Sequence, residues 1–167
     1  MMRLRTPLLL AGVLVLATAS ASAGRSARLT DDAPVITPPS ARVVMEVFKS
    51  PTCGCCKAWV ERMKAAGFDT KVTDLSEASL QKSKTRLGVT ENLASCHTAI
   101  VNGYVVEGHV PAEDIQRMLR DKPKIAGIAA PGMPRGSPGM EVPGGAKDAY
   151  DVVAFTKAGK TSVYAKH

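Results

Sequence analysis

Three of the chain's four cysteines fall within residues 53–56, which read Cys-Gly-Cys-Cys. The residues before this segment, 42–48, are rich in β-branched and apolar side chains, and this composition predicts a strand. The residues after it repeat apolar side chains at helical spacing as far as Ala66, and Gly67 can end the helix. We therefore expect the cysteines at a strand-to-helix turn, where the helix dipole and free N–H groups favour thiolates.

This clustering indicates a reactive or metal-binding site rather than a set of structural crosslinks. Disulfides that stabilise a small exported protein are usually spread along the chain, because they then close loops. Adjacent Cys55 and Cys56 do not easily meet the geometry of a disulfide with each other. Redox chemistry or soft-metal binding is the main expectation, and a structural disulfide or a buried thiol is the minor alternative.

The first 23 residues have the pattern of a secretory signal peptide. Arg3 and Arg5 supply positive charge, residues 8–17 form an apolar run, and residues 21–23 (Ala-Ser-Ala) form a small-residue cleavage site. The apolar run is short for a bilayer span, which needs about 20 residues. We expect export to the periplasm, no membrane span after signal cleavage, and a flexible lead-in over residues 24–41.

Residues 42–122 predict the element order β-α-β-α-β-β-α. A second strand is expected over 68–75 and a second helix over 77–87. Asn102-Gly103 joins two β-prone runs, which is the strongest short hairpin signal, and the last helix ends before Pro123. This order is that of an α/β, thioredoxin-like domain, and a chain of this length can bury one such core.

Residues 123–167 are expected to extend this domain. The part over 131–145 is too rich in proline and glycine for regular structure. Two β-prone runs follow, over 151–155 and 161–165, and they predict a C-terminal β-hairpin. We expect the Pro/Gly/Met-rich loop and this hairpin to pack on the domain.

The basic residues of the second helix, Lys82, Lys84 and Arg86, are interpreted as a solvated helix face rather than a site for an anionic partner. The net charge of +7 could also suggest nucleic acid. Export and the small aromatic content, 4 %, argue against it. We predict no nucleic-acid partner.

The predicted topology gathers further donor side chains at the cysteine turn. The third strand should run antiparallel to the first, so Cys96 at its start lies beside the turn, and the fourth strand returns His109 to the same edge. His97 ranks lower, because alternation along a strand would point its side chain to the opposite face. Taken alone, each histidine is more often a satisfied polar residue. Met133 and Met140 stand in the Pro-Gly loop, where thioether ligation is the alternative to hydrophobic packing.

The chain thus offers four thiols, possible thioethers and an imidazole. Soft sulfur ligands select Cu(I), zinc or iron–sulfur clusters. Structural zinc usually shows paired Cys-x2-Cys or His spacings, whereas this chain has one Cys-x-Cys-Cys and one distant cysteine. Four thiolates that bridge an equal number of Cu(I) ions would form a neutral core, which eases burial. The donor set therefore favours a multinuclear Cu(I) site, with several copper ions per chain.

Several segments together resemble the bacterial CopG-type family of exported, thioredoxin-like, metal-binding proteins tied to copper resistance, often described only as domains of unknown function. The segments that carry the resemblance are 51–59, 95–99, 103–111, 131–134 and 137–141. The resemblance covers about 42–145 and implies copper bound by Cys53, Cys55, Cys56 and Cys96. It implies copper ions as the partner, with other periplasmic copper-handling proteins as candidates, and leaves open storage, transfer or a change of oxidation state.

Two alternatives stand beside the copper hypothesis. The first is an enzyme, a thiol–disulfide oxidoreductase that uses Cys53 and Cys56, whose spacing and position fit that chemistry. Thioredoxin-type enzymes, however, place a cis-proline just before the third strand, where this chain has residues 95–97 (Ser-Cys-His). A spare thiol there would also attack a mixed disulfide. The second alternative is a zinc-stabilised structural module.

Overall fold

A computed structural model describes residues 42–167. The predicted signal peptide (1–23) and lead-in (24–41) lie outside the described residues. Within residues 42–167, no helix is long and apolar enough to cross a membrane. The elements in chain order are β1 (Val44–Lys49), α1 (Gly54–Ala65), β2 (Asp69–Asp74), α2 (Glu77–Arg86), a 3-10 turn (Glu91–Leu93), β3 (His97–Val101), β4 (Tyr104–Gly108), α3 (Ala112–Asp121), β5 (Gly127–Ala130), β6 (Asp151–Phe155) and β7 (Thr161–Lys166).

All seven strands form one mixed sheet in the order β2-β1-β3-β4-β5-β6-β7. Strand β1 pairs parallel with β2 through the α1 crossover and antiparallel with β3, so that Lys49 lies opposite His97. The β3–β4 hairpin turns at Asn102-Gly103, where both residues have positive φ angles. The predicted β-α-β-α-β-β-α order over the first part of the domain is confirmed.

The core has two layers, one on each face of the sheet. On one face, α1 and α3 pack Trp59 and Ile115 against the strands, and Met45, Met63 and Met118 are fully buried there. A smaller layer on the other face packs the segment around the 3-10 turn against β4, β5 and β6. Its buried residues are Val89, Leu93, Val105, Ala129 and Phe155. The alternation of side chains along β4 and β5 therefore feeds both layers.

Strand β5 was not predicted from the sequence. It has four residues, all buried, and pairs parallel with β4 after the α3 crossover. Its sequence, Gly-Ile-Ala-Ala, shows no polar/apolar alternation, because a strand buried on both faces has no solvent side. Strand β5 also joins the predicted C-terminal hairpin, β6–β7, to the same sheet. The segment between β5 and β6 contains no helix or strand, as predicted from its proline and glycine content.

The interpretation of α2 as a helix with a solvated basic face was wrong at one position. Lys82 and Arg86 are exposed, but Lys84 is only 2 % exposed. Lys84 follows Leu80 by four residues, so both side chains lie on the helix face that meets the sheet. The Lys84 ammonium pairs there with the carboxylate of Glu107, which is fully buried on β4.

Candidate metal centre

The cysteine turn connects β1 to α1 and forms the N-terminus of that helix. Cys53 is the N-cap residue, and its sulfur accepts a hydrogen bond from the backbone N–H of Cys56 at 3.3 Å. Cys55 and Cys56 lie in the first helical turn, where unpaired N–H groups and the helix dipole favour negative charge. The thiols therefore lie as predicted, at a strand-to-helix turn.

Two of these cysteines are joined in the structure by a disulfide between Cys53 and Cys56. From the sequence, a disulfide was the minor alternative, on the ground that adjacent cysteines do not easily pair. The observed bond instead links residues three apart, whose Cα atoms are 5.3 Å apart, within the usual range for disulfides. Cys55 and Cys96 are free thiols. Metal binding by all four sulfurs would require reduction of the disulfide.

The four sulfur atoms lie within 4.8 Å of one another, and we call these residues the cysteine cluster: Cys53, Cys55, Cys56 and Cys96. The Cys55 sulfur is 3.4 Å from that of Cys53 and 3.9 Å from that of Cys96. Cys96 reaches the helix N-terminus because β3 begins beside the end of β1. Burial, followed by the neighbouring Cys55 thiol, raises the pKa of Cys96 to about 12.

His109 adds an imidazole to the cysteine cluster. Its Nε2 atom lies 3.0 Å from the Cys96 sulfur, and its Nδ1 atom lies 2.8 Å from the carbonyl oxygen of Pro138. A carbonyl oxygen only accepts hydrogen bonds, so Nδ1 carries the proton and the Nε2 lone pair faces the thiol. Burial lowers the pKa of His109, which favours this neutral form. A neutral imidazole with an oriented lone pair is suited to bind a metal.

His97 also lies at the cluster, contrary to the expectation that it points away. Its Nδ1 atom is 3.5 Å from the Cys96 sulfur, and its ring packs between those of Trp59 and His109. Cys96 occupies a bend before β3, so the alternation rule for strands does not separate the two side chains. His97 is fully buried, and burial holds its pKa well below the usual value. Its Nε2 atom has no hydrogen-bond partner among residues 42–167.

The two candidate methionines each follow a glycine that contacts the site. Gly132, before Met133, donates its N–H to the Ala94 carbonyl at 3.0 Å, next to the segment that carries Cys96. Gly139, before Met140, approaches the backbone of α1 so closely that a Cβ atom there would lie 2.8 Å from the Cys55 oxygen. Met133 is 56 % exposed and Met140 is half-buried. The two glycines thus lie beside the Cys96 segment and the start of α1, and these contacts do not define either methionine as a ligand.

The polar residues that hold the Cys96 segment were not predicted from the sequence. Glu107 accepts a hydrogen bond from the Ser95 N–H at 2.7 Å, and it also bonds Thr98 and Lys84. A charged residue within the otherwise apolar β4 run is the signal that could have found it. For Lys84, the signal is its four-residue spacing from Leu80.

Comparisons with known proteins show which family the chain resembles. Residues 93–140 match a family model described as "Protein of unknown function, DUF411". A solved structure named "Copper resistance protein copG- Form 1" is 44 % identical, with 75 % of this chain and 98 % of that chain covered and a TM-score of 0.70. A second, "Copper resistance protein copG- Form 2", is 48 % identical over the same shares, with a TM-score of 0.68. No curated protein matches the chain. At this identity, and over nearly the whole of both solved chains, the protein belongs to the CopG family of copper resistance proteins.

Proposed function

We propose that this protein binds Cu(I) in the periplasm as part of copper resistance, through a multinuclear site bridged by the cysteine cluster. The observation that carries the proposal is the meeting of four sulfur atoms within 4.8 Å at the N-terminus of α1. Thiolates at this spacing can each bridge two metal ions, and soft sulfur donors prefer Cu(I). The names of the two similar structures support copper as the metal.

The histidines and methionines complete the proposed donor set in unequal roles. His109 would act as a terminal ligand, since its Nε2 lone pair already faces Cys96. His97 is a second candidate at 3.5 Å from the same sulfur. Met133 and Met140 are candidates for weaker thioether contacts at the loop that borders the site.

Metal analysis of protein that is purified and reduced without oxygen tests this proposal. With added Cu(I), the chain should bind more than one copper ion, and copper should displace zinc. A single tetrahedral zinc ion that copper does not displace would favour the structural-module alternative.

N-terminal sequencing of periplasmic material tests export, and a mature chain that starts near Gly24 is expected. A membrane-bound product that retains residues 1–23 would contradict it.

The disulfide between Cys53 and Cys56 supports action on the oxidation state of copper. When these two thiols are reduced, they can give one electron and one proton each, forming the S–S bond while two Cu(II) ions become two Cu(I) ions. Cys55, Cys96 and His109 remain as donors for the Cu(I) that forms. The reduced protein should therefore lose two thiols for every two Cu(I) ions produced from added Cu(II) under argon. Reduction of copper with no loss of thiols would contradict this step.

A thiol–disulfide oxidoreductase is the second candidate, and the Cys53–Cys56 bond at a helix N-terminus favours it. Insulin reduction that depends on Cys53 and Cys56 alone would support this enzyme. The copper hypothesis predicts instead that Cys96→Ser disturbs function as much as Cys53→Ser. If Cys96→Ser left insulin turnover intact and copper tolerance unchanged, the oxidoreductase hypothesis would replace the copper hypothesis.

A further inference from the structure

The segment that carries Cys96 is held by a buried ion pair beneath the sheet. Lys84 on α2 is 2 % exposed and Glu107 on β4 is fully buried. The Lys84 ammonium lies 2.5 Å from Glu107 Oε1 and donates to the Thr98 hydroxyl at 3.0 Å. That hydroxyl donates to Glu107 Oε2 at 2.6 Å, and Ser95 N–H donates to Glu107 Oε1 at 2.7 Å. One carboxylate thus accepts three hydrogen bonds, one of them from the residue before Cys96.

Stability alone does not account for this arrangement. Burying an ion pair costs hydration free energy that the attraction between the two charges only just offsets. Apolar residues of similar volume can therefore often replace such a pair without loss of stability. An apolar pair, however, would leave the Ser95 N–H without the acceptor that Glu107 supplies. The feature specific to the charged pair is therefore its hold on the Ser95 backbone.

The C-terminal end of β4, which carries Glu107, also lies beside the Cys96 thiol. Glu107 holds the backbone before Cys96, and His109, two residues further along, contacts its sulfur. The Ser95 hydroxyl bonds the Gly132 carbonyl, so the segment is fixed from the loop side as well. With its backbone held in this way, the thiol stays within 3.9 Å of Cys55.

We propose that Glu107, paired with Lys84, is a positioning residue that sets the place of the Cys96 thiol in the cysteine cluster. This inference concerns the site of the proposed copper function, but it is a statement about the metal-free protein. Neither residue belongs to the groups of side chains that could hold a metal. Their effect passes through the Ser95 N–H to the neighbouring thiol.

Two double variants separate positioning from simple packing. Lys84→Met with Glu107→Met removes both charges and the acceptor for the Ser95 N–H. Lys84→Met with Glu107→Gln removes both charges but keeps an amide oxygen at the acceptor position. Alkylation of Cys96 in the reduced, metal-free protein is measured by mass spectrometry. It should be about tenfold faster in the Met/Met variant than in wild type, because the loss of one charge-assisted hydrogen bond makes the displaced segment about tenfold more populated. The Met/Gln variant should restore most of the protection, and Cys55 should alkylate at the wild-type rate throughout.

Asp114→Asn is the control for general destabilisation. Asp114 is also buried and charged, pairing with Arg117 and His167 on or beside α3, and it makes none of the hydrogen bonds that hold the Cys96 segment. This variant should lose stability and keep the wild-type alkylation rate at Cys96. If the alkylation rate of Cys96 rose equally in Asp114→Asn and in the Met/Met variant, the effect of Glu107 would be one of general stability only. That result would overturn the proposal.

A measurement on the wild-type protein covers the case in which the Met/Met variant does not fold. Hydrogen exchange by NMR should show the Ser95 amide as strongly protected as the amides of β3. A Ser95 amide that exchanges like those of exposed loops would overturn the proposal. Both readouts use metal-free protein, so a wild type that binds no copper would remove the proposed function and still leave this inference tested.

Discussion

The imidazole of His109 faces the thiol of Cys96, with Nε2 3.0 Å from the sulfur. The carbonyl of Pro138 fixes which nitrogen holds the proton, because it can only accept from Nδ1. A loop residue far along the chain thus leaves the Nε2 lone pair of His109 facing the cysteine cluster. Carbonyls that orient a metal-binding histidine in this way commonly tune its affinity.

His109→Ala should lower the affinity for Cu(I) by about 10–100-fold and leave the number of copper ions unchanged, since a terminal ligand holds only one metal. Competition with a Cu(I) chelator measures the affinity. His167→Ala is the control, because His167 pairs with Asp114 on α3 and lies outside the cluster. Equal affinities for wild type and His109→Ala would remove His109 from the ligand set.

Cys96→Ser should cost more than one copper ion per chain. In a bridged cluster each thiolate holds at least two metals, so the loss of one sulfur opens several bonds and leaves the remaining charge unbalanced. In a site with a single metal, water or His109 could replace the lost ligand. Native mass spectrometry at saturating Cu(I) gives the count for Cys96→Ser, with His109→Ala as the variant that should keep the full number. If Cys96→Ser bound as many copper ions per chain as the wild type, this sulfur would not be a ligand.

Copper affinity should rise with pH. Burial raises the pKa of the Cys96 thiol to about 12, so this sulfur carries a proton at neutral pH and must release it to a metal. The apparent affinity therefore falls as pH falls, and the slope persists across neutral pH because that range lies far below the pKa. Chelator competition at several pH values measures the slope. The slope should be shallower in Cys96→Ser, and equal slopes would contradict proton release from Cys96.

The local part of the site could be predicted from the sequence, since it depends on residues close together in the chain. The strand before residue 53, the helix after it and the hairpin at Asn102-Gly103 together determine where Cys96 and His109 meet the turn. The approach of His97 could not be predicted, because it depends on a bend at Cys96 that no sequence pattern marks. The positions of Cys96 and His109 at the turn, in contrast, follow from the topology once the order of helices and strands is known.

Two other features depend on tertiary contacts that leave little trace in the sequence. Strand β5 is short, has mostly small side chains and is buried on both faces. It therefore lacks the alternation of polar and apolar residues that identifies a strand. Lys84 is of the same type as its exposed neighbours Lys82 and Arg86. Its spacing from Leu80 places it on the buried face of α2, but the carboxylate that pairs with it there, Glu107, lies on a strand 23 residues further along the chain. In both cases the partner that decides the environment is distant in sequence.

The loop after β5 closes over the N-terminus of α1 through Gly139. This glycine has a φ angle of +84°, and a Cβ atom there would lie 2.7 Å from the backbone nitrogen of Trp59 and 2.8 Å from the carbonyl oxygen of Cys55. Its N–H donates to the carboxylate of Glu141 at 3.0 Å, and Glu141 pairs with Arg62 on α1 at 2.9 Å. The loop is therefore clamped to the helix that carries the cysteines, and only glycine fits at the point of contact.

Gly139→Ala should destabilise the protein and weaken copper binding, and Gly144→Ala is a matched control. Gly144 has the same φ angle of +84°, but a Cβ atom there would have no neighbour within 4 Å. Both variants incur the cost of a left-handed alanine, about 1–2 kcal/mol, whereas Gly139→Ala must also push the loop from the helix. That shift would move the neighbouring Pro138 carbonyl and release His109. Thermal unfolding and chelator competition should show a larger loss of Tm in Gly139→Ala and a lower copper affinity in that variant alone. Equal Tm losses with unchanged copper affinity would show that the loop does not hold His109 in place.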